Sequence, residues 1–231
     1  MRKLLFLLVL SISINCTAQE TKWNTWTKKY AGQKNYFPEY GNLPKSKDEI
    51  KSDNAFIESI SKLGFSKQEG SNQLATKGWT FLRQGDYENA MLRFNQSWLL
   101  DKTNTNALWG FGTIMGALEN ADEAIKYLEL AYNNDTHVSR LLIDISTAYL
   151  IRYNLKSDKT DLNSGLSSLL KYLKIDSKNE EALYKASIFH FNLENFNSSW
   201  TYLHKCYDQG GRSVQKGFVN ALSEKMKDPK K

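Results

Sequence analysis

Little in this chain would interrupt a helix. Its 231 residues contain three prolines, Pro38, Pro44 and Pro229. None falls between residues 45 and 228, and proline is the residue that a helix interior tolerates least, at a cost of roughly 3 kcal/mol. This absence favours an all-α body. Cysteine is equally scarce, with Cys16 and Cys206 alone. If Cys16 is lost with the N-terminus, one thiol remains, and the fold must rest on an apolar core instead of a disulfide frame. An apolar content of 41% against 24% charged residues can supply that core. The formal charge of +6 includes Arg2 and Lys3, and no block of five or six like charges occurs. A nucleic-acid partner would need clustered Lys and Arg, so none is expected. The three histidines, His137, His190 and His204, lack a metal spacing such as HExxH. WGFG at 109–112 lies in a helical pattern without the Lys-Ser/Thr of a phosphate loop. Asp122 and Glu123 are adjacent and so do not face each other on a helix, whereas Asp144 stands alone. No nucleophile, base and orienting group come together, so the chain reads as a non-enzyme without a cofactor.

Residues 1–18, MRKLLFLLVLSISINCTA, have a basic start, an apolar run over 4–14 and small residues after it. That run has 11 residues, whereas a membrane-spanning helix needs about 20. The pattern is that of a secretory signal peptide, resembling bacterial ones. Two processing routes are open. Cleavage after Ala18 leaves Gln19 first and gives a soluble protein of the periplasm. Alternatively Cys16 carries a lipid, which would be the chain's one route to a membrane. The first is favoured because Ile14 and Asn15 precede Cys16 where a lipoprotein signal has a small residue.

A repeat runs through the rest. In 71–104, Leu74, Gly78, Phe81 and Leu82 form one helical stripe, and Tyr87, Ala90, Met91, Phe94 and Trp98 a second. Gly85 can end the first helix and Asp86 can cap the next. A shift of 34 residues aligns Leu108 with Leu74, Gly112 with Gly78, Ala124 with Ala90 and Leu128 with Phe94. A third copy spans 139–179, with its second helix resuming seven residues late, so that Gly165 and Leu169 take the Ala90 and Phe94 places. A fourth spans 180–213 and carries Leu183, Ser187, Phe196, Ser199, Leu203 and Cys206.

These units resemble the tetratricopeptide repeat, with small residues at its positions 8 and 20, an aromatic at 11 and a large residue at 24. GDYENA at 85–90 is close to that family's pattern. Departures are Met115 at position 11 of the second unit and Lys102, Thr136, Ser177 and Gly211 where proline is usual. The resemblance implies a right-handed superhelix of hairpins with capping helices at both ends. Residues 46–70 read as the N-terminal cap, with Ser46 and Glu49 in capping-box spacing. Residues 214–231 read as the C-terminal cap and tail. Residues 19–45 hold Trp23, Trp26, Tyr30, Tyr36, Phe37 and Tyr40, which is too aromatic for a disordered linker. They read as an irregular arm packed on the repeats.

The resemblance also implies a concave groove lined by the first helices. Carried over by position, it gives Asn72, Ala75, Trp79, Leu82 and Arg83, then Asn106, Trp109, Thr113, Gly116 and Ala117. Arg140, Ile143, Thr147, Leu150 and Ile151 follow in the third unit and Glu181, Tyr184, Ile188, Phe191 and Asn192 in the fourth. Trp, Tyr and Arg are the usual anchors of protein interfaces. The expected function is binding of a protein or peptide partner in the cell envelope, through Trp79, Leu82, Arg83, Trp109, Arg140, Tyr184 and Phe191. The alternative is a homo-oligomeric or envelope-assembly scaffold whose groove is filled by its own aromatic arm.

Overall fold

A computed structural model describes residues 21–230. The signal segment expected over 1–18, and with it Cys16, lies outside the described residues. Those described form eleven α-helices and no strand. They are α1 (Lys22–Lys29), α2 (Lys47–Lys62), α3 (Lys67–Arg83), α4 (Tyr87–Leu100), α5 (Thr105–Ala117), α6 (Ala121–Asn134), α7 (Leu141–Lys156), α8 (Lys159–Leu173), α9 (Glu180–Asn192), α10 (Phe196–Asp208) and α11 (Lys216–Lys225). None is long and apolar enough to cross a membrane.

Helices α3–α4, α5–α6, α7–α8 and α9–α10 pair as hairpins, and each hairpin packs on the next. The local chemistry explains their ends. Asp86, Asn104, Asn120, Asn179 and Asn195 each cap a helix by accepting a backbone N–H three residues on. Gly85 takes φ +76 in the first hairpin turn, a conformation cheap only for glycine. The same turn position is filled by Glu119 (φ 65) and Glu194 (φ 61) in the second and fourth hairpins. Ser46 and Glu49 make the expected capping box of α2. A second one, Ser66 with Glu69, starts α3 four residues ahead of the repeat boundary expected at 71. Its S-x-x-E spacing was already visible in the sequence.

The small residues of the repeat allow close approach. A Cβ on Gly78 would meet the Phe94 ring at 2.6 Å, and one on Gly112 would meet Leu128 Cγ at 2.6 Å. In the fourth hairpin Ser187 and Ser199 take these places and donate to each other's backbone carbonyls at 2.8 and 2.9 Å. The resulting core is continuous from Met91 and Phe94 to Leu169 and Phe189. In the third hairpin α7 runs on to Lys156, and Ser157, at φ 57, turns the chain into α8. This elongated turn is clamped by Arg152, which donates to both oxygens of Asp161 at 2.6–3.0 Å, a carboxylate 3% exposed, and to Asp122 at 3.1 Å.

The aromatic arm packs on α4, the second helix of the first hairpin. After α1 the chain passes through a short 3₁₀ turn at Lys34–Tyr36 and a left-handed turn in which Glu39, Tyr40, Gly41 and Asn42 all have φ between 53 and 70. The buried carboxamide of Asn95 on α4 holds this backbone by donating to Asn35 O (2.8 Å) and Phe37 O (2.9 Å) and accepting from the Tyr40 N–H (3.3 Å). Glu88 on α4 accepts from Lys29 and from the Tyr30 hydroxyl at 2.8 and 2.6 Å, and Lys22 pairs with Glu119. Trp26 and Tyr30 enter the core.

At the other end α11 lies against α10 and covers the aromatic side chains of α9. The tail then folds back, and Trp200 Nε1 donates to Met226 O at 3.0 Å. Cys206, fully buried, sits in this C-terminal cluster.

Candidate functional site

The first helices, α3, α5, α7 and α9, form one face of the stack. The contacts across it run from hairpin to hairpin. Trp79 packs edge-on against Trp109, with ring centroids 5.2 Å apart, and donates its indole N–H to Asn106 O at 3.2 Å. Trp109 donates its own indole N–H to Asp144 Oδ2 on α7 at 2.8 Å. Arg140, one turn before Asp144 and 3.8 Å from its Oδ1, turns toward α9 and meets Glu181 at 2.6 Å. Lys185, next along α9, donates to Thr147 Oγ1 at 2.9 Å and lies 3.7 Å from Glu181.

Between α5 and α7 this face opens into a pocket of about 250 Å³. Its walls are Thr113, Gly116, Ala117, Thr147, Ala148 and Ile151, and Gly112, Ala124 and Leu128 lie deeper. Gly116 and Gly112 differ in role. A Cβ on Gly112 would collide with Leu128, whereas a Cβ on Gly116 would sit at ordinary contact distance, 3.8 Å from Ala124 Cβ and 3.9 Å from Ile151 Cδ1. Gly112 therefore packs the hairpin, and Gly116 leaves space open on its surface. Asp144 is the one charged residue lining the pocket. Burial pushes its carboxyl above the ordinary carboxylate value, outweighing the Trp109 hydrogen bond and the nearby Arg140 and Lys185.

The residues expected to bind a partner separate into three groups. Trp79, Trp109 and Arg140 form a connected chain through Asp144. Leu82 is half-buried and packs on the core, while Arg83 stays exposed at the end of α3 and donates to Thr80 Oγ1 at 3.3 Å. Tyr184 and Phe191 do not join that open surface. Both pack edge-on against Phe218 of α11 with centroids 5.5 Å away, and Tyr184, 8% exposed, accepts the Gln215 N–H at its hydroxyl. The C-terminal helix occupies the place a fifth first helix would have, so it covers them. Ala148 and Lys185 were not among the expected site residues. Ala148 was unmarked because a buried alanine in a helical stripe reads as packing.

A larger cleft, of about 650 Å³, lies on the opposite side between the arm, α2 and α4. Two of its carboxylates are already paired. Lys45 pairs with Asp53 and lies 3.6 Å over the Tyr40 ring, and Lys34 pairs with Glu49 at 3.0 Å. The smaller pocket is the stronger candidate because it lies on the first-helix face, where Asp144 is its one charged residue. Among the described residues, no three of His, Cys, Asp and Glu are grouped so as to hold a metal ion.

No protein-family model matches the chain, and no curated protein matches it in sequence. Solved structures do match in fold. PilF of Pseudomonas aeruginosa superposes with a TM-score of 0.56 at 14% identity, over 79% of this chain and 87% of that one. TTC0263, a thermophilic tetratricopeptide protein of Thermus thermophilus, gives 0.55 at 15% over 67% and 80%. MamA from Desulfovibrio magneticus RS-1 gives 0.54 at 14% over 73% and 98%. At such identities the likeness is one of fold, and it agrees with the 34-residue register: the chain has the fold of a tetratricopeptide-like helical repeat.

Proposed function

We propose that this chain is an interaction module that binds a protein or peptide partner along the face of its first helices. The observation that carries the reading is the placement of the arm. Residues 21–45 lie against α4 and the turn after α5, and the pocket between α5 and α7 stays open, with Asp144 on its border, Trp109 bonded to that carboxylate and Trp79 packed on Trp109. Tryptophan is enriched among residues that dominate binding energy, and these two are braced by each other and by hydrogen bonds, so little entropy is lost on contact. The groups gathered there suit recognition rather than bond-making.

The test is capture of the native partner by the Trp79→Ala and Trp109→Ala variants. Loss of the partner by both, with thermal stability retained, is the expected result. Unchanged capture by both would remove the groove from consideration. Action in the bacterial envelope rests on residues 1–18. Intact-protein mass spectrometry of the native chain should find Gln19 at the N-terminus, or a lipid on Cys16, and an unprocessed Met1 would refute export.

One observation favours a second reading, self-association. Ile50 on α2 is 48% exposed and Leu63, just after the helix, 70%, and α2 buries none of its residues. Light scattering that shows a monomer at high concentration would dismiss it.

A further inference from the structure

The pocket between α5 and α7 carries more information than the groove as a whole. At about 250 Å³ it is smaller than the roughly 300–1,000 Å³ of small-molecule sites. It fits one side chain of a larger partner held elsewhere along the face. Its walls are methyl, methylene and glycine surface, which ask for an apolar body. Asp144 on its border asks for something else.

An ionised carboxylate has about four acceptor positions. Asp144 fills one well, with the Trp109 indole N–H at 2.8 Å. Arg140 comes no nearer than 3.8 Å and spends its guanidinium on Glu181. Lys185 points to Thr147 and Glu181. Both neighbouring cations are thus drawn to Glu181, and among the described residues none donates a close hydrogen bond to the other oxygen of Asp144. Trp109 adds an aromatic surface next to the carboxylate, and a cation is attracted to such a ring.

On the reading that partners bind along this face, we infer that the pocket receives a lysine or arginine side chain of the partner, its stem lying over Gly116, Ala117 and Ile151 and its charged head pairing with Asp144. These are the side chains that combine an apolar stem with a cationic head. An aliphatic side chain would leave Asp144 desolvated and unpaired, and an acidic one would be repelled.

A random heptapeptide library displayed on phage, selected against the full protein, tests this. Peptides that hold the groove should share one basic position. For the best synthetic peptide, changing that residue to norleucine and changing Asp144→Asn should each weaken binding about tenfold or more, because a charge-assisted hydrogen bond is lost. The two changes together should weaken it little further, the signature of a direct pair. The carboxamide introduced by Asp144→Asn keeps an acceptor for Trp109, so the fold stays intact. Gly116→Leu should fill the pocket and abolish binding. Peptides blocked by Gly116→Leu but indifferent to the basic residue, or bound equally by Asp144→Asn, would overturn the inference and leave the groove reading standing. If no selected peptide depends on Gly116, Trp79 or Trp109, the groove reading fails and the inference with it.

Discussion

Asn95 and Tyr40, 55 residues apart, are joined at the seam between arm and repeats: the buried side-chain oxygen of Asn95 accepts the Tyr40 N–H while its nitrogen serves two further arm carbonyls. The Tyr40 backbone is left-handed there, a conformation that costs a residue with a side chain about 1–2 kcal/mol. One carboxamide thus fixes a strained turn. Asn95→Ala would strand three backbone groups in the interior, at about 1–3 kcal/mol for each that water cannot reach. The arm should detach before the repeats unfold. Hydrogen exchange should rise sharply across 31–42 and stay slow in α5 and α6. Exchange unchanged in the arm would show that aromatic packing alone holds it.

The arm should also be sensitive to acid. Hydrogen bonds from Lys29 and from the Tyr30 hydroxyl hold the Glu88 carboxyl down to about 2, from an ordinary 4.5. A depressed carboxyl stabilises the folded state fully above 4.5, and that contribution disappears as pH falls toward 2. Emission from Trp23 and Trp26 should therefore report arm release in this window. Glu88→Gln, which cannot ionise, should loosen the arm at neutral pH and flatten that part of the profile. A variant whose acid profile matches the wild type would rule out Glu88 as the sensor.

Removing Arg152 should be the most damaging single change at the third hairpin. Arg152→Met leaves Asp161 buried without its counter-ion, a situation that costs about 3–5 kcal/mol. Urea denaturation should show a loss of that size. The double variant Arg152→Met/Asp161→Leu should recover most of it, since an apolar pair of similar volume often replaces a buried ion pair without loss. A double variant as unstable as the single would mean that the clamp's geometry, not its charge, shapes the turn.

Glu194→Gly should stabilise the protein by about 1 kcal/mol, because Glu194 holds the left-handed turn position that Gly85 fills without strain. Its ion pair with Lys159 is exposed and contributes little. Glu119→Gly should gain less, since Glu119 also ties the arm through Lys22 at 3.0 Å. Thermal melts of the two variants separate the effects, and a destabilised Glu194→Gly would refute the strain argument.

Much of the fold could be read from neighbouring residues. Gly85 followed by Asp86, Ser46 with Glu49, and the recurrence of small and large residues at 34-residue intervals are local signals, and each does in three dimensions what its chemistry demands. The groove was legible only in part. Trp79, Trp109, Thr113, Gly116 and Ala117 were placed on it by the resemblance to the tetratricopeptide repeat, position by position. Register could not show that Tyr184 and Phe191 lie under α11, because an end position is open or closed according to how the last helix stacks. Nor could it pair Asp144 with Trp109 across 35 residues.

The sequence by itself determined the repeating helices, the caps at Ser46 and Asp86 and the hairpin pairing. These follow from propensity, capping and periodicity, which act over a few residues. Only the tertiary structure decided that the aromatic arm lies against α4, that the expected C-terminal cap covers Tyr184 and Phe191, and that a carboxylate borders an open pocket. Those outcomes depend on which distant surfaces satisfy each other's hydrogen bonds and fill each other's space, as Asn95 does for the arm, and no local pattern encodes that match.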